Sequence, residues 1–224
     1  MRKSAEERRA EILSEAARIA LGEGLERVTL RAVAEPLGVR PSLIGHYFPA
    51  VEDLVVDAFV LAVTGERDWL FGVEAGAGAS TGVGAGVGAG LRARDGAEAG
   101  ADQAPPFEQM AGFVRRAESP EALELCRLWL NARHLARFMP RLAHAIDEQE
   151  TLDRERMVAL IERGVAAGSF VTDDPVGAST RIYMAVDAIG VYANNAQPFE
   201  HEASRHFVAD VAAWSLGVDV QRLR

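Results

Sequence analysis

Two short stretches between residues 28 and 48 carry side chains that could bind phosphates or base edges. These side chains are small, or are polar and able to donate hydrogen bonds, and helical periodicity would turn them toward solvent. Guanidinium, hydroxyl, imidazole and phenol groups commonly donate to phosphate oxygens and to base edges in a DNA groove. The candidate DNA-binding residues are Thr29, Arg31, Arg40, Pro41, Ser42, Gly45, His46 and Tyr47.

Apolar residues of the same segment predict two short helices that would position these side chains. They repeat every three or four positions on either side of Gly38: Leu30, Val33, Ala34, Leu37, Ile44 and Phe48. Thr29 suits an N-cap, because its hydroxyl can accept a hydrogen bond from a first-turn amide. Pro41 suits the first position of the second helix, where its missing N–H costs nothing. With a glycine turn between the helices, the pattern is typical of a helix-turn-helix.

The sequence around this motif resembles the TetR family of one-component transcription regulators. The resemblance covers residues 8 to 59: an opening helix RRAEILSEAARIALGEG, then VTLRAVAEPLGV, then a recognition helix that ends in HYF, then the start of a connecting helix at Pro49 and EDL. The ending LIGHYFPAVEDL is similar to the branch with a His-Tyr-Phe finish, which includes the choline-responsive repressors. Helical signals along the chain predict an all-α fold of about nine helices, without a strand pattern. The resemblance implies an N-terminal three-helix helix-turn-helix DNA-binding domain and a C-terminal helical domain for ligand binding and dimerisation.

Three residues depart from the family pattern. Gly45 and Val51 stand where many members have a tyrosine and a basic residue, so two common DNA contacts of the family are missing. Pro36 falls in the seventh position of the first motif helix, where it removes a backbone hydrogen bond. We therefore expect that helix to be short or kinked.

Charge does not decide between DNA binding and another function. The net charge is −9, which would repel a polyanion at long range, but residues 1 to 48 hold eight basic and seven acidic side chains. A near-neutral N-terminal part and an acidic remainder fit a local, salt-sensitive DNA contact, and they fit a non-nucleic function equally well.

Length and composition predict a globular, cytoplasmic protein without a membrane partner. The chain has 224 residues, of which 49% are hydrophobic, and no run approaches the eighteen apolar residues of a membrane span. The N-terminus leads into an amphipathic helix without an apolar signal core. Cys126 is the single cysteine, so an internal disulfide is excluded, and its leucine neighbours predict a buried core thiol.

An abrupt change of composition divides the chain. Glycine occurs ten times from Gly72 to Ala104, which disfavours helix and predicts a flexible linker, with a hinge or lid as the functional alternative. The predicted domains are a helix-turn-helix domain at 1–49, a connecting helix at 50–71, a Gly/Ala-rich linker at 72–106, and a ligand-binding and dimerisation domain at 107–224.

The C-terminal part offers a candidate ligand site and a candidate dimer interface. Aromatic residues and a few polar anchors could line a mostly apolar pocket between helices. The candidate ligand-binding residues are Phe113, Trp129, Arg133, His134, Tyr183, Asp187 and Tyr192. The last two helices are apolar on more than one face, as expected if one face packs on the rest of the domain and another meets a second copy, and Ala185, Ala188 and Gly190 would allow close approach. The family resemblance implies a symmetric homodimer through these helices.

The sequence contains few residues in patterns typical of catalytic or metal-binding sites. The five histidines have no ligand spacing, there is no cysteine pair, and no phosphate-binding GxxxxGK or nucleophile elbow occurs. We therefore predict no catalytic residue, no metal, no cofactor and no enzyme activity. The predicted function is a ligand-responsive regulator, by family habit a repressor, that binds a palindromic double-stranded DNA operator as a homodimer and is released by a small-molecule effector. The alternative is an all-helical small-molecule-binding protein or enzyme without DNA function.

Overall fold

The computed structural model describes residues 3–72, 104–195 and 201–224, and these residues form α-helices joined by short turns. Ten α-helices occur in the described ranges: α1 (Ala5–Glu23), α2 (Leu30–Ala34), α3 (Pro41–Tyr47), α4 (Val51–Leu70), α5 (Pro106–Ala117), α6 (Ala122–Ala136), α7 (Pro140–Ala166), α8 (Pro175–Ala193), α9 (Glu202–Arg205) and α10 (Phe207–Leu216). The predicted all-α fold of about nine helices is confirmed. Residues 73–103 of the predicted linker lie outside the described residues.

Proline and capping side chains set where several helices begin. The helices α3, α5, α7 and α8 all start at a proline, whose fixed φ and missing N–H suit a first helical position. The start of α1 is a capping box: Ser4 Oγ accepts a hydrogen bond from the Glu7 amide at 3.1 Å, and the Glu7 carboxylate accepts one from the Ser4 amide at 2.6 Å. The bond from the Ser4 backbone, with that of the Ser4 side chain, holds the pKa of Glu7 below its ordinary value.

The helix α2 is short, as Pro36 predicted. It ends at Ala34 after five residues, and a turn over residues 35–38 follows. Gly38 has a φ of 62°, in the left-handed region that glycine adopts without steric cost. The Val39 amide then donates back to the Ala34 carbonyl at 3.1 Å, which closes the turn ahead of α3.

The described chain forms two compact units. Unit 1 comprises 3–69 and 127–149, and unit 2 comprises 70–72, 104–126, 150–195 and 201–224. The helices α4, α6 and α7 contribute residues to both units. The domain limits predicted from the sequence at 49, 71 and 106 stay predictions.

The core of unit 1 joins the helix-turn-helix to neighbouring helices. Its buried apolar side chains come from α1 to α4, from the second half of α6 and from the beginning of α7. Its fully buried residues include Ile12, Ala16, Val33, Ile44, Leu54, Phe59, Ala132 and Leu142. Burial of this apolar surface is the main stabilising contribution to the unit.

Unit 2 is built around Phe113 and a packed pair of helices, α8 and α10. Gly190 of α8 lies directly against Cys126 of α6, since a Cβ added to Gly190 would be 2.5 Å from the Cys126 Cβ. Gly190 therefore provides close helix packing within the chain, whereas the sequence suggested contact with a second copy. Cys126 itself is half-buried rather than fully buried.

Two findings concern the predicted lack of a membrane span and of a metal site. No helix in the described part of the chain is both long and apolar enough to cross a bilayer. Within the same ranges, no three histidine, cysteine, aspartate or glutamate side chains come together as metal ligands could.

Candidate nucleic-acid interface

The two motif helices are held together from the inside. Val33 and Ala34 of α2 and Ile44 of α3 are at most 1% exposed, and Phe48 at the end of α3 is also 1% exposed. The apolar positions that the sequence assigned to the interior therefore lie in the core of unit 1. The solvent-facing sides of both helices carry the candidate DNA-binding side chains.

Six of the eight candidate DNA-binding residues are exposed: Thr29, Arg31, Arg40, Pro41, Ser42 and His46. The other two, Gly45 and Tyr47, are half-buried. The structure thus brings donor groups from the start of α2, the start of α3 and the last turn of α3 onto one helix-turn-helix unit. Among the described residues, Thr29 is the one member of this set whose side chain makes a hydrogen bond within the fold. The other side chains can therefore bind phosphates and base edges without breaking such a bond.

Thr29 has a structural bond as well as an exposed position. Its Oγ1 accepts a hydrogen bond from the Ala32 amide at 3.1 Å, which makes it the N-cap of α2 as predicted. The hydroxyl hydrogen can still donate outward. At the other helix, Pro41 occupies the first position and the Arg40 side chain makes no capping bond, so that guanidinium stays available to a ligand.

The end of α3 presents an aromatic pair. The rings of His46 and Tyr47 lie edge to face, with their centroids 5.5 Å apart, and Tyr47 also packs against the core of unit 1. This packing gives the exposed imidazole a defined position, which recognition by a hydrogen bond requires. The position of Gly45 is open by comparison, because a Cβ added there would meet only Leu30 Cδ1 at an ordinary 3.5 Å.

Basic residues near the start of α1 have partners within the chain. Lys3 and Arg8 both pair with Glu11, at 2.6 and 2.7 Å. Arg9 pairs with Asp57 of α4 at 2.7 Å. A phosphate contact by these cations would therefore have to compete with an existing carboxylate.

The candidate ligand-binding residues divide between the two units. In unit 1, Trp129 is 8% exposed and its Nε1 donates to Glu66 Oε2 at 2.8 Å, while the Phe59 ring lies edge to face with it at 5.2 Å. Arg133 and His134 are exposed, and the Arg133 guanidinium lies 5.4 Å from the Trp129 ring centroid. Of these three candidate ligand-binding side chains in unit 1, only the Trp129 indole is buried.

The other four belong to unit 2. Phe113 is fully buried, and Tyr183 lies edge to face with it at 6.0 Å while its hydroxyl donates to the Asp153 carbonyl at 3.1 Å. Asp187 is half-buried, but Tyr192 is 59% exposed. The structure therefore brings Phe113 and Tyr183 together and leaves Tyr192 on a surface. Their role toward a ligand stays a prediction.

Sequence reasoning missed two acidic partners that the fold brings to these sites. Glu66 and Asp57 lie on α4, 63 and 48 positions from the residues they bind. Both fall on an amphipathic helix among many acidic residues. No local pattern distinguishes a carboxylate that binds a distant indole or guanidinium from a solvated one.

The fold and the exposed donor surface define a helix-turn-helix protein with an all-helical remainder in the described ranges. Residues 12–58 match the family model of bacterial regulatory proteins of the tetR family. Residues 12–58 therefore match the DNA-binding domain of the TetR family, and the predicted resemblance to that family is confirmed over this segment.

Solved structures share this fold over nearly the whole chain. A protein described as a transcriptional regulator from Saccharomonospora viridis, crystallised in complex with choline, is 17% identical and has a TM-score of 0.64, with 94% of this chain and 97% of that one covered. A TetR transcription regulator from Haloarcula marismortui ATCC 43049 is 16% identical with a TM-score of 0.65, over 93% of this chain and 97% of that one. A protein described as a TetR-family transcriptional regulator from Rhodococcus sp. is 16% identical with a TM-score of 0.66, over 94% and 98%. No protein of curated function matches the sequence.

Proposed function

We propose that this chain is a ligand-responsive repressor, located in the cytoplasm, which binds a palindromic operator as a homodimer and is released by a small-molecule effector. The observation that carries the proposal is the exposed donor surface of α2 and α3, with Arg31, Arg40, Ser42 and His46 around a buried apolar core. Guanidinium and imidazole groups on a helix of this kind suit base edges in a major groove.

An uncovered apolar surface supports dimerisation. Large apolar side chains of α8 and α10 are exposed: Met184 (67%), Val191 (44%), Tyr192 (59%), Phe207 (40%) and Trp214 (74%). Exposed apolar side chains of this size on two neighbouring helices mark an interface, and a twofold axis pairs the same surface with itself. Two recognition helices set about 34 to 36 Å apart would then read the two halves of a palindrome.

A buried polar contact on the connecting helix supports a ligand input. The Glu66 carboxylate of α4 is 8% exposed and accepts from Trp129, whose ring meets Phe59 edge to face. A carboxylate among aromatic rings favours a ligand with a cationic or hydrogen-bond-donating group. Choline, the ligand of the Saccharomonospora structure, is therefore a suitable first probe. An effector that favours one arrangement of α4 over another would change operator affinity by that difference.

DNA binding tests the central proposal. Duplexes from around the protein's own coding region are titrated against a scrambled duplex over a salt series, with the dimer confirmed by sedimentation. We expect preference for one natural duplex, and we expect Arg31→Ala to weaken that preference by about 1 to 3 kcal/mol if the guanidinium reads a base. Arg115→Ala, at an exposed arginine of α5 in unit 2, is the matched control.

Folded dimer that prefers no duplex at low salt would refute the repressor proposal. A uniform loss of affinity for all duplexes in Arg31→Ala would assign that residue to a phosphate instead. The ligand input is tested separately by adding choline chloride, with sodium chloride as the control, and by comparing the chain with Glu66→Gln. If choline chloride releases DNA from the parent chain but not from the Glu66→Gln chain, the result would support a ligand site at Glu66.

A further inference from the structure

A basic surface lies at the turn between α6 and α7, within the same unit as the helix-turn-helix. The 22 residues from 125 to 146 contain four arginines and two histidines but no aspartate or glutamate, although the whole chain has a net charge of −9. We name His134, Arg137, Phe138 and Arg141 the basic corner. All four side chains are exposed.

One residue of the basic corner, Arg141, is positioned beside the segment that follows the recognition helix. Leu142, Ala145 and Ile146 of α7 belong to the same buried core as Phe48, the residue that directly follows α3. Arg141 pairs with Asp53, in the first turn of α4. Only Phe48, Pro49 and Ala50 separate α3 from α4, so Arg141 lies next to the segment that leaves the candidate DNA-binding surface.

The first turn of α4 offers no cation of its own. It begins with Val51, Glu52 and Asp53, and Val51 is 42% exposed. Arg141 brings a guanidinium to this turn from α7, and its side chain remains 63% exposed despite the pair with Asp53. A partly exposed ion pair of this kind contributes little to folding, so the guanidinium can turn to another anion at little cost.

The side chains of the basic corner suit a sugar-phosphate backbone. Arginine binds phosphate oxygens through two parallel N–H groups. Phe138 is 73% exposed, an unusual state for so large an apolar side chain, and the His134 ring meets it edge to face at 6.0 Å. An apolar ring between two arginines in the sequence can pack on deoxyribose while the guanidiniums bind phosphates of the same backbone.

We propose that the basic corner binds the phosphate backbone of DNA that continues past the segment contacted by α3. The partner is DNA, because a duplex docked on α2 and α3 is a continuous polyanion next to this surface, and its charge complements the run from 125 to 146, which contains four arginines and no acidic residue. The inference rests on the proposed function and extends its footprint beyond the helix-turn-helix. These contacts add affinity without sequence preference.

Arg137→Gln and Arg141→Gln test the proposal by fluorescence anisotropy. Each variant is titrated with a 40-base-pair scrambled duplex and with duplexes from the protein's own coding region, over a series of KCl concentrations. We expect the slope of log affinity against log salt to fall by about 1 for each lost phosphate contact, and to fall equally for all duplexes. Arg115→Gln of α5 makes the same charge change in unit 2 and should leave the slope unchanged.

Asp53→Asn supplies a test of opposite sign. This variant releases Arg141 and removes a negative charge beside the DNA path, so we expect tighter binding of every duplex and no loss of slope. Phe138→Ala should lower affinity with no change of slope, because the lost contact is not ionic. Thermal unfolding of all five variants checks that the fold is intact.

The outcomes separate this inference from the proposed function. If the folded dimer prefers a natural duplex, and Arg137→Gln and Arg141→Gln keep the parent slope, the basic corner does not bind DNA although the regulator does. If no duplex is preferred but both variants lower the slope, the basic corner binds DNA and the repressor proposal fails. Unchanged slopes in both variants would also redirect the surface to an acidic protein partner and overturn the proposal.

Discussion

The guanidinium of Arg9 lies over the ring of Phe48, with its central carbon 4.6 Å from the ring centroid. The same guanidinium pairs with Asp57 of α4 at 2.7 Å. One side chain of α1 therefore contacts both the residue that directly follows α3 and the helix α4. The end of α3 is in this way connected to α1 and to α4.

Replacement of Arg9 by alanine should loosen this connection. The ion pair is about half exposed, so it contributes less than about 1 kcal/mol, and the contact with the ring adds about 0.5 to 1 kcal/mol. We expect Arg9→Ala to lower the free energy of unfolding by about 1 kcal/mol in urea denaturation, with a smaller effect at high salt. Arg18→Ala is the control, since Arg18 pairs only with Glu15 of its own helix among the described residues. Equal losses in the two variants would contradict a role for Phe48.

The two motif glycines should respond in opposite ways to alanine. Gly38 has a φ of 62° with open space around it, so Gly38→Ala pays only the backbone cost of the left-handed region, about 1 to 2 kcal/mol. Gly45 lies inside α3 with room for a Cβ, so Gly45→Ala should stabilise by about 0.5 to 1 kcal/mol. Thermal unfolding of both variants measures the difference. A destabilised Gly45→Ala chain would show that α3 is strained in a way its backbone does not reveal.

The side chain of Glu118 should matter for α10. Its Oε1 accepts a hydrogen bond from the Ala209 amide at 2.9 Å, and its Oε2 lies 3.4 Å from His206 Nδ1, so the end of α5 caps the beginning of α10. We expect Glu118→Ala to cost about 0.5 to 2 kcal/mol, and Glu118→Gln to cost less because an acceptor remains. Since α10 carries Trp214 of the proposed dimer surface, sedimentation should show weaker dimers in the alanine variant. Identical losses in both variants would mean that charge alone matters.

A methyl group at Gly190 should separate α8 from α6. A Cβ there would lie 2.5 Å from the Cys126 Cβ and 2.7 Å from its sulfur, so the helices must shift. Overpacking of this kind costs about 1 to 3 kcal/mol, which chemical denaturation of Gly190→Ala would measure. Cys126→Ala should not rescue the variant, because the Cβ remains. Full rescue would place the conflict at the sulfur alone.

Protonation of Glu7 should weaken the start of α1. The hydrogen bonds from Ser4 hold the pKa of Glu7 below its ordinary value, so the folded state binds this proton less readily than the unfolded state. The contribution is therefore present in full above the ordinary glutamate pKa of about 4.3, and it is lost as the pH falls through the lower folded-state pKa. Carboxyl resonances followed by NMR should place the pKa of Glu7 below its ordinary value, and Ser4→Ala should raise it toward that value. An unchanged Glu7 titration in Ser4→Ala would contradict the contribution of the Ser4 hydroxyl.

The sequence predicted the local parts of the motif well because their signals lie within a few residues. The N-cap of Thr29, the first-position Pro41, the turn at Gly38 and the early end of α2 before Pro36 all follow from backbone chemistry, and all are confirmed. The seven candidate ligand residues depend on contacts across the chain. Periodicity could not tell that Tyr192 is exposed while Phe113 is fully buried, since both lie on apolar helices. The sequence did not predict the basic corner, because its residues are divided between the end of one helix and the start of the next.

The brevity of α2 has a consequence for how the DNA-binding region opens. A helix of five residues has too few hydrogen bonds to persist alone, because helix nucleation is costly and few bonds follow it. Its geometry is imposed by the core around Val33 and Ala34, which also holds α1 and α3. Local fraying of α2 is thus coupled to loss of that core, and its amide hydrogens will exchange with solvent together with those of α1.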